Sequence, residues 1–371
     1  MAARNLNITP IGEWGLFRLP PRPCVIAGPC SAETEEQMLS TARGLRAFGI
    51  NVFRAGIWKP RTHPGSFEGL GTAGLKLLKK VKEETGMHVC TEVAGAKHVY
   101  ECLKYGVDLL WIGARTSANP FLMQEIADAL QDTDIPVLVK NPVNPDIDLW
   151  IGALERLNRA GVTKIGVIHR GFSTSAPIPY RNDPGWRIAI ELRTMYPSLP
   201  FFADPSHMGG DRKYLVELSQ RAMDLGLEGL MIESHCDPSC ALSDAKQQLT
   251  PAALQKLLEE EITVRDSSSD DATYNEGLHQ LRAKIDIIDE NILDVFSSRM
   301  KVSREIGLYK KEHNVAILQA SRWDEVLEKM KEEGRSRGLS DEFIVKVFTA
   351  LHEESIRAQD EVLSDGAKQS L

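Results

Sequence analysis

The chain holds no run of 18 apolar residues, so no segment is long enough for a transmembrane helix. Its first residues, MAARNLNITPIGEWG, lack the apolar stretch of a secretory leader, and none is expected. Positive charge is not in excess either. With 44 Lys+Arg against 52 Asp+Glu the formal charge is −8, which argues against nucleic acid or an anionic membrane as a general partner. Cysteine is sparse: Cys24, Cys30, Cys90, Cys102, Cys236 and Cys240 are the six in 371 residues. In a long chain with a core of its own they are expected reduced, most of them as small buried hydrophobes, in a cytoplasmic protein. Proline, frequent in the first two thirds, is scarce beyond DSSSDDAT (266–273), a polar acidic stretch with linker composition. We therefore divide the chain into residues 1–265, a linker at 266–275, and residues 276–371.

The first part is rich in short apolar runs. They are CVIAG (24–28), NVFRAGIW (51–58), HVCTEV (88–93), LLWIG (109–113), VLVKN (137–141), KIGVIHRG (164–171), FFADPSH (201–207) and GLMIES (229–234). Amphipathic stretches such as TEEQMLSTARGLRAFG separate most of them. Buried strands alternating with helices predict a parallel sheet, and eight such units in about 240 residues predict a (β/α)₈ TIM barrel. A doubly wound open sheet is the alternative. The stretch before Cys24 is read as a small hairpin closing the bottom of the barrel.

In a barrel the C-terminal strand ends form the active face. Here those ends carry Cys30, Arg54, Lys59, Arg61, Glu92, Arg115, Lys140, His169, Arg170, Asp204, His207, Glu233 and His235, with Asp244 a little further on. Lys59, Arg61, Arg115, Lys140 and Arg170 focus positive charge on one mouth of an acidic chain, which suits phosphates and a carboxylate. Cys30, His207, Glu233 and Asp244 offer one thiolate, one imidazole and two carboxylates, a mixed donor set for a divalent metal. Read singly, Cys30 is also a core thiol and His207 a phosphate-binding or supporting histidine.

GPCSAE, GIWKPRTHPGSFEGLG, TEV, IGAR, VLVKN, HRGFST, ADPSHMGG and ESHCDPSCALSDAKQQL, in this order over residues 24–249, resemble the type Iβ 3-deoxy-D-arabino-heptulosonate 7-phosphate (DAHP) synthases. The resemblance implies a TIM barrel that condenses phosphoenolpyruvate with erythrose 4-phosphate in the shikimate pathway. It implies one divalent ion, Mn2+ or similar, on Cys30, His207, Glu233 and Asp244. It gives phosphoenolpyruvate to Lys59, Arg115, Lys140 and Arg170 with Arg54 close by, and the aldose phosphate to Arg61 and Thr62. Glu92, His169, Asp204 and His235 complete the lining, with Glu92, Lys140 and His235 taken as catalytic. The 3-deoxy-octulosonate 8-phosphate synthases share the barrel but carry KANRS where this chain has KPRT, which favours the four-carbon aldose. His63 departs from the serine common in the motif.

From residue 276 apolar residues fall at 278, 281, 285, 288, 292, 295, 296 and 302, predicting a helix of about 35 residues, with further helices near 320–334 and 340–362 and Ser340 as an N-cap. A helix about 50 Å long needs a partner to pack against. At 100° per residue Arg299 and Lys310 share a face within about 20°, whereas Arg282 lies about 80–100° away, so Arg282 is not expected in the same pocket of the same chain and is free to serve that of a second chain or to stand as a surface charge. LRxxIDxID, RM, IGxYK and ESIRAQ resemble the all-helical, intertwined-dimer chorismate mutases over residues 278–359. The resemblance implies a pocket of Arg282 (from the partner chain), Arg299, Lys310, Arg322, Ser355 and Gln359, with Lys310 and Gln359 catalytic and no cofactor. Trp323 stands where glutamate is frequent. The whole reads as a bifunctional enzyme, at least dimeric, whose helical part also carries feedback by prephenate. The alternative is a helical part that mainly binds chorismate or prephenate.

Overall fold

The computed structural model describes residues 5–17, 23–59, 67–265, 268–318 and 320–365, without the side chains of 320–322 and 364–365. It divides into two compact units, Met1–Ser267 and Ser268–Leu371.

In the first unit eight parallel strands close a barrel in sequence order: β1 (Cys24–Gly28), β2 (Val52–Arg54), β3 (His88–Val93), β4 (Leu109–Ile112), β5 (Val137–Lys140), β6 (Ile165–His169), β7 (Phe201–Ala203) and β8 (Gly229–Glu233). Closure is made by β1 on β8, in register from Cys24 opposite Gly229 to Gly28 opposite Glu233. The runs are apolar throughout because both faces of each strand are buried. One face packs on the surrounding helices, with Phe53, Val89, Ile112, Val139, Val167 and Ile232 among the residues used. The other fills the barrel with Ile26, Val52, Cys90, Trp111, Leu138, Ile168, Phe202 and Met231. No hairpin precedes β1 among the described residues. Instead a short 3₁₀ turn, Ile11–Trp14, sends buried Trp14 and Leu16 into the same interior cluster. The bottom is thus stoppered by side chains, and Thr9 ties the segment to Thr163 just ahead of β6.

Two strands are shorter than the apolar runs suggest. The β7 run stops at Ala203 because the Asp204 carboxylate accepts the His207 amide and starts the helix Pro205–Gly209. At β2 the chain leaves the ladder after Arg54, and Gly69 passes so close to Ile57 that an added Cβ would sit 2.3 Å from its carbonyl oxygen.

The second unit is three helices, Ala272–Glu312, Ala320–Ser336 and Asp341–Asp365. The first starts four residues before the end of the expected linker. Its start is fixed by Asp271, whose carboxylate accepts the amides of Thr273 and Tyr274. Ser340 caps the third helix through the Phe343 amide. Gly307 lets the first and third helices meet, since a Cβ there would lie 3.0 Å from Gln359 Cα. The N-terminal half of the long helix is bare: Leu281, Ile285, Ile288, Leu293 and Val295 are all more than half exposed.

Candidate active site

At the C-terminal ends of the strands lies a cavity of about 400 Å³ lined by Lys59, Glu92, Arg115, Lys140, Arg170, Arg181, His207 and Asp244, among others. Four of the five cations expected at this mouth line it; Arg61, with Thr62, lies outside the described residues. Burial pulls the Arg170 guanidinium down to about 10, with Arg181 and Arg115 adding to it against the Asp204 carboxylate. Cations crowded in this way favour an anionic ligand.

At one side of the cavity the donors of Cys30, Glu233 and Asp244 all lie within 4.8 Å of one another. Cys30 Sγ is 3.2 Å from Asp244 Oδ2, and Lys59 Nζ is 2.9 Å from the same sulfur. His207 joins them through Nε2, 3.7 Å from Glu233 Oε1, while its Nδ1 is 2.8 Å from Asp204 Oδ2. Asp204 is fully buried between His207 and Lys140, the latter at 2.7 Å. Burial opposes its ionisation, but His207 and Lys140 hold the carboxyl well below its usual range. A carboxylate on one imidazole nitrogen fixes the ring and turns the other nitrogen toward the donor group. Burial and then the Glu233 carboxylate push the Cys30 thiol up to about 12. Glu233 Oε1 is buried without a hydrogen-bond donor among the described residues, although the Arg54 guanidinium lies 3.2 Å from it. A thiol held neutral beside a buried carboxylate oxygen is a set that a divalent cation satisfies, by displacing the thiol proton. The residues fit such an ion.

Several sequence-derived residues stand beneath the cavity. Arg54 is only 1% exposed, ion-paired with Glu233 and stacked over Trp111 at 4.8 Å. Trp111 in turn donates its indole N–H to Glu92 at 2.9 Å. His235 is buried, its Nδ1 accepting the Asp237 amide and its Nε2 3.7 Å from Glu33. His169 is enclosed by Trp150, Phe172 and Trp186, and burial lowers it to about 4. This sets an acid limit. Below pH 6.5 the unfolded chain binds a proton that the folded chain refuses until about 4, so stability falls as pH falls through that window. The loss is on the order of 3 kcal/mol. We expect urea midpoints of the barrel to drop from pH 7 to pH 4.5, and a His169→Phe variant to flatten that part of the curve.

Sequence reading missed Arg181, Asn182, Gln247 and Gln248. Arg181 donates to Asp244 and Gln247, each at 3.0 Å, and the Gln248 side chain accepts the Cys30 amide at 2.9 Å. The two glutamines stand three and four residues after Asp244 in SDAKQQL and are buried, and their place in the same motif as Asp244 was the available signal.

In the helical unit Arg299 donates to the Leu351 carbonyl at 3.0 Å and to the Ser355 hydroxyl. Gln359 is buried nearby on the same helix, and Lys310 donates to the Ile317 carbonyl at 2.5 Å. Arg282 is exposed on the bare half of the long helix. Trp323 stacks on His352 with centroids 4.2 Å apart. The side chain of Arg322 is not described.

Residues 20–268 match the DAHP synthetase I family, and residues 281–360 match chorismate mutase type II. The chain belongs to the DAHP synthetase I family. This DAHP synthetase is similar to the phospho-2-dehydro-3-deoxyheptonate aldolase of Thermotoga maritima, 36% identical over 236 residues, 64% of this chain and 68% of that one. The crystal structure of the T. maritima aldolase covers the same shares at a TM-score of 0.59 and 35% identity. A 2-dehydro-3-deoxyphosphooctonate aldolase of Desulfatibacillum aliphaticivorans is 29% identical over 269 residues, 66% of this chain and 93% of that one. The DAHP synthetase is thus bifunctional, a barrel for DAHP synthesis followed by a chorismate mutase domain, with phosphoenolpyruvate, erythrose 4-phosphate and chorismate as its substrates. No helix among the described residues is long and apolar enough to cross a membrane.

Proposed function

We propose that the barrel makes DAHP with one divalent cation held by Cys30, His207, Glu233 and Asp244, and that prephenate bound by the helical unit inhibits it. The convergence of these donors at the edge of a cationic cavity carries the first half of this reading. Such an ion supplies Lewis acidity toward a carbonyl, worth several kcal/mol of barrier. Mn2+, Fe2+, Co2+ and Zn2+ all suit the donor set.

The chain's own side chains do the rest. Lys59, Arg115, Lys140 and Arg170 hold the phosphate and carboxylate of phosphoenolpyruvate, and Arg61 and Thr62 take the aldose phosphate. Fixing both anions presents the phosphoenolpyruvate methylene carbon to the aldehyde carbon, where orientation contributes most. A carbon–carbon bond forms, water adds at the neighbouring carbon, and that carbon's bond to the phosphate oxygen breaks. Glu92 or Lys140, both of which line the cavity, handles the water proton. Arg54, His169, Asp204 and His235 act from beneath, by holding these groups. The greater identity to the heptonate aldolase than to the octonate aldolase supports erythrose 4-phosphate as the partner.

In the helical unit Arg299, Ser355, Gln359 and Lys310 are assigned to one pocket, with Arg322, whose side chain lies outside those described, given to it by the resemblance, and Arg282 to the pocket of a second chain. The bare apolar half of the long helix supports that dimer, because isolated helices do not leave such a stripe in water. Six free thiols suit a cytoplasmic location. The test is phosphoenolpyruvate consumption with erythrose 4-phosphate and Mn2+ across a prephenate titration. The rate should fall as prephenate rises, and Arg299→Ala should move the half-inhibition point at least tenfold upward. A rate indifferent to prephenate would remove the sensing role and leave the mutase alone as the reason for the fusion.

A further inference from the structure

The loop after β6 brings two adjacent residues against both halves of the site. Arg181 Nη1 donates to Asp244 Oδ1 and to Gln247 Oε1, each at 3.0 Å, and the Gln247 amide donates to Glu233 Oε2 at 2.7 Å. The neighbouring Asn182 donates its side-chain amide to the His207 carbonyl at 2.7 Å. Its Oδ1 accepts from Arg170 Nη1 at 2.8 Å. Three of the four cation donors are thus held by this dipeptide, directly or through one amide, and so is one of the cavity's anion-binding guanidiniums.

The backbone makes the attachment firm. The amides of Arg181 and Asn182 bond the carbonyls of Gly209 and Met208, on the helix that carries His207. Gly210 has φ +68°, and a Cβ there would come within 2.6 Å of Arg181 Cβ, so the approach requires glycine. Asp244 is a non-glycine residue at φ +47°, a conformation that persists only where its surroundings hold it. Arg181 takes its Oδ1 and leaves Oδ2 facing Cys30.

We propose that Arg181 and Asn182 form a positioning clasp that couples anion binding at Arg170 to divalent-cation binding at Cys30, His207, Glu233 and Asp244. It rests on the cation and phosphate placements proposed above. An anion in the cavity fixes Arg170 and offsets the charge of Arg181. Asn182, the His207 carbonyl it holds and the carboxylates braced by Arg181 and Gln247 are then already ordered when the cation arrives. The coupling is reciprocal: the cation raises affinity for the anion by the same factor.

Mn2+ uptake by the full chain, read from the electron paramagnetic resonance signal of free Mn2+, tests this without turnover. Phosphoenolpyruvate should raise Mn2+ affinity on the order of tenfold in the native protein, within the usual range for coupled sites. Arg181→Met removes the single nitrogen that donates to both Asp244 and Gln247, and Asn182→Ala cuts the link to Arg170. Each should shrink the coupling factor at least threefold. Arg181 is about half exposed, so its variant is expected to fold, and equal melting temperatures would show it. An unchanged coupling factor in both variants overturns the clasp while leaving the cation site standing. Native protein that takes up no Mn2+ overturns the clasp together with the reading beneath it.

Discussion

Cys30→Ser is expected to lower DAHP formation about a thousandfold while the same sample keeps its chorismate mutase rate. The thiol is completely buried, 3.2 Å from Asp244 and 2.9 Å from the Lys59 ammonium, so nothing else in the site can take its place. A hydroxyl is a far weaker donor than a thiolate toward the later divalent ions, so the ion should be bound loosely or lost. Several kcal/mol of Lewis-acid stabilisation goes with it, at 1.36 kcal/mol per decade of rate. Exhaustive EDTA treatment of the native protein should give a loss of similar size, reversed by added Mn2+. The mutase rate is the internal control, because the helical unit has its own fold and no part in the cation site. A serine variant within tenfold of the native condensation rate would reduce Cys30 to a core thiol.

Lys310→Ala should do the reverse. Its mutase rate should fall by about two to three decades, the usual cost of removing one donor from a developing oxyanion, here the ether oxygen of chorismate. Condensation measured on the same sample reports the barrel. On the reading proposed above Gln359, which is buried, is the second donor, through its amide nitrogen. The proposed reading gives Lys310 and the arginines different duties, with the carboxylates assigned to Arg299, so the variant should still show inhibition by prephenate. A native mutase rate in Lys310→Ala would remove Lys310 from the catalytic pair.

The barrel was legible because every strand is buried on both faces and so reads as an unbroken apolar run. Which strand end is active followed from the parallel topology. What the sequence order could not convey is depth. Arg54 and His169 follow the same rule of position as Lys140 and Arg170. Yet alternation along the strand turns Arg54 into the barrel over Trp111 and His169 among Trp150, Phe172 and Trp186. Arg181 and Asn182 escaped notice for another reason. They sit in an irregular loop, and what joins them to Asp244, 63 residues from Arg181, is the side-by-side pairing of β6, β7 and β8 rather than any spacing. In the helical unit the 3.6-residue period placed all three helices. Composition marked Asp271 as linker, whereas in the structure it caps the helix that begins at Ala272.

The closed ring of strands leaves the barrel no free edge at which another chain could add. The bare stripe from Leu281 to Val295 puts the opposite property into the second unit. On the dimer proposed above, its free energy of folding contains a term in protein concentration, since that face is then hidden from water by a second chain. Dilution would act on the helical unit through that term, and the rearranging activity per chain would fade as the protein is diluted.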